Sequence, residues 1–126
     1  MYSLNDEASV SVSFSNRGKN FNVVIKAWRP TESRWAWNIY VNLFERHPLF
    51  ESNEAILNLP FHGGVTYDKS SRDEYLNGDL RGLVKIVGCD YMHLYDDFEN
   101  CSPLDGIPYS IKMDAEGLFR KLKRSE

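Results

Sequence analysis

The chain has 126 residues, of which 42% are hydrophobic and 26% charged, with seven Phe, seven Tyr and three Trp. This length and composition predict one folded domain over residues 1–126 and exclude an intrinsically disordered chain. The net charge of −3 argues against a general nucleic-acid binder. No apolar run approaches ~18 residues, so we expect no membrane association. The first residues show no secretory signal pattern, so we expect a cytoplasmic protein, with Cys89 and Cys101 as free thiols.

Polar and apolar residues alternate in the first third of the chain, which is typical of half-buried β-strands. This pattern predicts strands over 9–15 and 21–28, joined by a turn around Gly18. Residues 29–33 break the pattern, and a third strand follows over 35–44. Because consecutive strands with short links usually pair, these segments predict an antiparallel meander.

The middle of the chain is less regular. Its pattern predicts a short edge strand at 56–61 ended by Pro60, an extended segment at 65–67, an exposed polar loop or short helical turn at 68–81, a strand at 83–87 and a long acidic loop at 91–105.

Apolar residues recur at helical spacing near the end of the chain and predict a helix over 110–124, capped by Ser110 or Asp114. Basic residues in its last turn suit the negative end of the helix dipole. The sequence therefore predicts an α+β fold: a curved antiparallel sheet that begins with a hairpin and meander, with the C-terminal helix packed on one face. We expect the aromatic residues of the strands, Trp28, Trp35, Trp37 and Tyr40, to pack in the core. The alternative is an exposed aromatic patch that binds a protein partner.

One cluster of residues has the chemistry of a site. Asp90, His93 and Asp96 follow each other at intervals of three, and His62 joins them if its segment lies beside the strand that ends at Val87. Imidazole and carboxylate groups bind divalent metals, and Asp–His pairs also act in acid–base catalysis. The spacing matches no established metal motif. The cluster therefore has four interpretations: a structural hydrogen-bond network, which we favour, a divalent metal site, an acid–base site or a partner surface.

Several motifs occur in a fixed order along the chain: Tyr40-Val41, His47-Pro48-Leu49-Phe50, His62-Gly63-Gly64-Val65-Thr66-Tyr67 and Gly88-Cys89-Asp90-Tyr91-Met92-His93 with Asp96 or Asp97. In this order they resemble a family of small proteins found in bacteriophages, prophages and some bacterial genomes, with the patterns HPL(Y/F), HGG(L/V/I)T(Y/F) and GFDxxH followed by Asp. The resemblance covers residues 37–97. Lys85-Ile86-Val87 replaces an aromatic pair of the family, and Cys89 replaces a phenylalanine.

The resemblance implies an accessory phage-type protein whose motif residues shape the fold: His47, Pro48, Gly63, Gly64, Thr66, Tyr67 and Gly88. We therefore expect a protein that binds a host or phage protein, with an inhibitor of host defence, similar to anti-CRISPR proteins, as one form of this function. Acidic side chains would supply the binding surface: Asp96, Asp97, Glu99 and Asp105. We do not expect nucleic acid as a partner.

Two other functions stay open. The first is a small metal-dependent hydrolase with His62, Asp90 and His93 as metal ligands and Asp96 or Asp97 as base. The second is a purely structural role for the cluster. We favour binding over catalysis.

Overall fold

The computed structural model describes residues 11–68, 74–75, 83–92 and 96–126. Their helices and strands are, in chain order, β1 (Ser11–Arg17), β2 (Phe21–Thr31), β3 (Arg34–Phe44), α1 (Asn53–Leu57), β4 (Tyr67–Asp68), β5 (Glu74–Tyr75), β6 (Leu83–Asp90), a 3₁₀ turn (Pro103–Asp105) and α2 (Tyr109–Arg124). The predicted α+β fold, an antiparallel sheet with a C-terminal helix, is confirmed.

The sheet has the strand order β1-β2-β3-β6-β4, and β5 also pairs with β6. All of these pairings are antiparallel. The first three strands form the predicted meander. The second strand is longer than predicted. After Trp28 its pairing with β3 becomes irregular and resumes at Thr31, where β2 ends. In the second half of the chain β6 pairs with β3, and β4 and β5 pair with β6, so these strands extend the same sheet.

One face of the sheet carries the hydrophobic core. Alternate residues of β2 and β3 point to this face and are buried, among them Phe21, Ile25, Trp37, Ile39 and Val41. The amphipathic helix α2 covers them with its own buried residues, Ile111, Ala115, Leu118 and Leu122. The helical spacing of these four residues is the pattern from which the helix was predicted, so the predicted helix and its buried face are confirmed.

The opposite face of the sheet is not covered by α2 and carries more polar side chains. Lys26, Tyr40 and Asn42 line a shallow depression of about 280 Å³ there, beside Tyr67. The rings of Tyr40 and Tyr67 meet edge to face, with centroids 5.3 Å apart. Of the four aromatic residues predicted to pack in the core, Trp37 is fully buried, whereas Trp28, Trp35 and Tyr40 are half-buried. Trp37 belongs to the core and Trp35 packs against it, so the prediction is confirmed for these two residues.

The predicted edge strand at 56–61 is wrong. The segment begins with the short helix α1, whose N-cap is Ser52, and the Ser52 Oγ accepts a hydrogen bond from the Ala55 N–H at 3.2 Å. Ile56 and Leu59 are buried while Leu57 is exposed, which is a helical spacing of three. A serine cap and this spacing decide in favour of a helix over a strand.

The predicted caps of α2 are also wrong. The helix begins after Pro108, whose fixed φ suits this position, and no side chain caps its N-terminus. Asp114 instead accepts a hydrogen bond from another part of the chain, described below. Neither helix in the described part of the chain is long and apolar enough to cross a bilayer.

His47 joins the loop after β3 to the end of α2. Its side chain is 3% exposed, and its Nδ1 accepts a hydrogen bond from the Leu49 N–H at 3.1 Å. The Nε2 atom therefore carries the proton and donates to the Leu122 carbonyl at 3.0 Å. The ring also meets Phe21 edge to face. His47 thus makes one hydrogen bond within its own loop, and its second bond, to α2, links two distant segments of the chain.

Candidate functional site

The motif segment 62–67 packs beside the motif segment that begins at Gly88 in β6. The Thr66 N–H donates to the Gly88 carbonyl at 2.9 Å, and the Thr66 hydroxyl donates to Asp90 Oδ2 at 3.3 Å. Tyr67 pairs with Gly88 in the sheet. The segment that contains His62 therefore lies beside β6, as the predicted cluster required, although His62 itself lies in a turn.

Glycine is required at two places in these motifs for different reasons. Gly63 and Gly64 have φ values of 69° and 86°, a region that residues with side chains rarely adopt, and they form the turn after His62. At Gly88 the reason is space: a Cβ atom would lie 2.5 Å from the Tyr40 ring and 2.6 Å from the Ile39 carbonyl oxygen. These glycines hold the two segments together and are consistent with a structural role for the motif.

A connected set of side chains lies at the end of β6, and we call His62, Tyr91, Asp96 and Asp114 the His62 network. His62 Nε2 lies 2.8 Å from Asp96 Oδ1, with the carboxylate side chain only 10% exposed. The imidazole stacks on the Tyr91 ring at 4.4 Å and nearly parallel. The Tyr91 hydroxyl donates to Asp114 Oδ2 on α2 at 2.6 Å. The network thus connects the glycine turn, β6, the acidic loop and α2.

Two side chains, Tyr91 of this network and the neighbouring Cys89, stay protonated at neutral pH. Burial raises the pKa of the Cys89 thiol to about 11, despite a hydrogen bond from the main chain of His62 that acts in the opposite direction. Burial, and then the hydrogen bond to Asp114, raise the pKa of Tyr91. A neutral thiol is a weak nucleophile, so Cys89 behaves as a core residue. Both cysteines of the chain are free thiols.

The residues predicted to bind metal divide between two groups of contacts. Asp96 contacts His62, whereas Asp90 contacts Thr66 and accepts a hydrogen bond from the Met92 N–H at 3.1 Å. His93 lies outside the described residues. Within the part of the chain that the structure describes, no group of three or more His, Cys, Asp or Glu side chains could hold a metal ion. The four-residue metal site, which includes His93, stays a prediction.

Next to the His62 network is a groove of about 390 Å³, whose position was not predicted from the sequence. Six of its nine lining residues have aromatic or apolar side chains: Trp28, Pro30, Trp35, Tyr91, Met92 and Phe98. Three ionic residues complete the lining: Arg34, Asp96 and Glu99. We call this the aromatic groove. It lies between the end of the β2–β3 hairpin and the acidic loop, two segments that only the folded chain brings together.

Hydrogen bonds fix the walls of the aromatic groove. The Trp35 N–H donates to the Glu99 carbonyl at 2.8 Å and so joins the hairpin to the acidic loop. The Trp28 indole N–H donates to Asn38 Oδ1 at 2.7 Å, which orients its ring. Tyr91 and Asp96 belong to both the groove and the His62 network. The groove is therefore a built surface rather than a gap between unconnected loops.

The four acidic residues predicted to contact a partner differ in exposure. Asp97, Glu99 and Asp105 are exposed, and Glu99 lines the aromatic groove. Asp96 is nearly covered and holds His62. Among the predicted structural residues, Pro48 is exposed beside the buried His47. One signal in the sequence could have indicated the groove: all three tryptophans of the chain lie within residues 28–37.

The comparisons with known proteins identify no relative. No protein-family model matches the chain, and neither a curated protein nor a solved structure matches it. The functional argument therefore depends on the geometry of the aromatic groove and the His62 network.

Proposed function

We propose that this chain is an accessory protein that acts by binding a partner protein, and that the aromatic groove is its binding site. The observation that carries the proposal is the groove itself: half-buried tryptophan faces and an exposed methionine around a volume of about 390 Å³. Aromatic residues and methionine are enriched where proteins bind one another. Tryptophan and tyrosine rings also bury a large surface at a low cost in conformational entropy.

The His62 network supports binding better than catalysis. His62 Nε2 is directed at Asp96, and the Tyr91 hydroxyl is directed at Asp114. The neighbouring thiol of Cys89 stays protonated because burial raises its pKa to about 11. These groups interact with one another, which suits side chains that hold two segments in place. A prearranged groove of this kind binds with a smaller loss of entropy than a flexible one.

The biological setting belongs to the same proposal. The motif order resembles phage and prophage proteins, and the exposed carboxylates of Asp97, Glu99 and Asp105 lie in the acidic loop. Acidic surfaces of this kind occupy basic sites on other proteins. We propose that the partner is a host protein and, more specifically, a component of a host defence system. Expression of the chain in a bacterial strain with an active defence system should then raise the plating efficiency of a phage that this system restricts.

The test of binding compares two matched substitutions. Met92 lines the groove and is 57% exposed, and Leu57, outside the groove on α1, is 45% exposed. Met92→Arg places a long charged side chain at the groove, whereas Leu57→Arg makes the same change elsewhere. Tagged wild-type protein and both variants are used to capture proteins from bacterial lysate, with the captured proteins quantified by mass spectrometry.

We expect a set of proteins that wild type and Leu57→Arg capture equally and that Met92→Arg captures at least several-fold less. Equal capture of every protein by Met92→Arg would contradict the groove as the binding site. Circular dichroism and urea unfolding of both variants verify that neither substitution unfolds the chain, since exposed substitutions usually change stability by less than about 0.5 kcal/mol.

A further inference from the structure

We propose that the aromatic groove binds an arginine or lysine side chain of its partner. This inference rests on the proposed function and specifies the chemistry of the group that the groove accepts. Two features carry it: the ring faces of the walls, and the carboxylates at the rim.

The walls can hold a cation. An arginine or lysine within about 6 Å of a tryptophan ring centre is attracted to the negative face of the ring, and the attraction grows where water is excluded. The chain already shows this interaction at the groove: the Arg29 guanidinium carbon lies over the Trp35 ring, 5.3 Å from its centre. The Trp35 ring therefore already holds a guanidinium group of the chain itself, so a cation of the partner must displace Arg29 from this ring or contact another ring of the groove. Trp28 offers a second half-buried ring in the same lining.

The rim supplies the opposite charge. Glu99 is tied to Trp35 through the main-chain hydrogen bond at 2.8 Å, so its exposed side chain starts beside this ring. Asp96 is 10% exposed, and its interaction with a cation is therefore less screened by water than that of a surface carboxylate. A guanidinium group can donate two parallel hydrogen bonds to a carboxylate while its plane lies against an aromatic ring.

Two basic residues oppose this attraction. Arg34 lines the groove and Arg29 borders it, while Asp97 adds an exposed carboxylate next to Asp96. Arg34 is exposed, so water and salt screen its charge strongly. Three carboxylates and two guanidinium groups line or border the groove, which leaves an excess of one negative charge among them. A basic side chain is thus the group that both the rings and the net charge favour.

The three tryptophans provide a direct test. The indole N–H groups of Trp28, Trp35 and Trp37 give separate signals in the ¹⁵N NMR spectrum of the full chain. Trp37 is fully buried and donates to the Cys101 carbonyl at 3.0 Å, so it serves as an internal reference. The labelled protein is titrated with three capped tripeptides that contain only arginine, only glutamine or only glutamate.

We expect the arginine peptide to shift the Trp28 and Trp35 signals in a saturable manner, with Trp37 unchanged and the other two peptides much weaker. Glu99→Gln should weaken arginine-peptide binding by about two- to five-fold, the range of an exposed ion pair. Glu51→Gln, an exposed acid outside the groove, should leave it unchanged. Absence of a saturable shift, equal binding of the glutamine peptide or tighter binding of the glutamate peptide would each overturn the inference.

These outcomes are separable from those of the capture experiment. If Met92→Arg abolishes capture but the arginine peptide does not bind, the groove binds a partner by another chemistry and only this inference fails. If the arginine peptide binds but Met92→Arg captures as wild type does, the groove accepts basic side chains and the proposed function fails.

Discussion

Replacement of Tyr91 by phenylalanine tests whether the His62 network holds α2 to the end of the sheet. The substitution removes one hydroxyl and keeps the ring that stacks on His62 and meets Phe98 edge to face. The lost contact is a hydrogen bond of 2.6 Å to the carboxylate of Asp114. Hydrogen bonds to charged groups contribute about 1.5–3 kcal/mol to stability. Because Asp114 is half-buried and partly reached by water, we expect Tyr91→Phe to cost about 1–2 kcal/mol.

Urea unfolding followed by circular dichroism measures this loss, and thermal unfolding should show a fall of about 4–8 °C for a domain of this size. Tyr109→Phe is the matched control, since Tyr109 is 76% exposed at the start of α2 and its hydroxyl should contribute little. A double-mutant cycle with Asp114→Ala should give a coupling energy of about 1 kcal/mol. Unchanged stability of Tyr91→Phe, or strict additivity in the cycle, would refute the reasoning.

Three further predictions concern stability. His47→Ala should cost about 2–4 kcal/mol in urea unfolding because it removes a buried ring and its hydrogen bonds to Leu49 and Leu122; a loss below about 1 kcal/mol would show that the ring does not link the loop to α2. Gly88→Ala should destabilise the protein by about 1–3 kcal/mol, because the new methyl group meets a main-chain oxygen at 2.6 Å. Gly117 lies in open space on α2, so Gly117→Ala should stabilise the protein by about 0.5–1 kcal/mol. Equal effects of the two substitutions on urea unfolding would contradict this reason. Burial raises the pKa of the Cys89 thiol from about 9 in the unfolded chain to about 11 in the folded protein. The stability that this difference contributes is therefore complete below about pH 9. It declines by roughly 2–3 kcal/mol as the pH rises to 11. Unfolding measured across this range should show a shallower decline for Cys89→Ala, and an unchanged slope would contradict the buried thiol as its source.

The parts of the fold that sequence reasoning predicted are those with a clear period. The meander was predicted because residues of β2 such as Val23 and Ile25 alternate with polar neighbours, and α2 because its apolar residues recur every three or four positions. The segment 56–61 was misassigned because it has only six residues. Its apolar side chains, at 56, 57, 59 and 61, fit both the period of a strand and that of a helix. There the hydrogen bond of the Ser52 cap, which the apolar pattern does not contain, favours a helix.

The candidate site was predicted in part. The proximity of His62 to β6 was only a condition of the predicted cluster, and the structure meets it. The contact between His62 and Asp96 joins residues 34 positions apart, so local spacing could not predict it. Helical spacing placed Asp90 and Asp96 on the same side, whereas in the structure Asp90 contacts Thr66 on the neighbouring segment. The aromatic groove was missed because its two sides meet only through long-range contacts, such as the hydrogen bond from Trp35 to Glu99.

Photo-crosslinking from within the aromatic groove tests the central claim most directly. The photoreactive amino acid p-benzoylphenylalanine is placed at Met92 in one protein and at Leu57 in another, both exposed positions. Each protein is expressed in bacterial cells, irradiated, purified through its tag and analysed by mass spectrometry. The account predicts a discrete crosslinked protein from position 92 that position 57 does not give. Identical crosslinks from both positions, or none from position 92 while position 57 gives one, would contradict the groove as the site of binding.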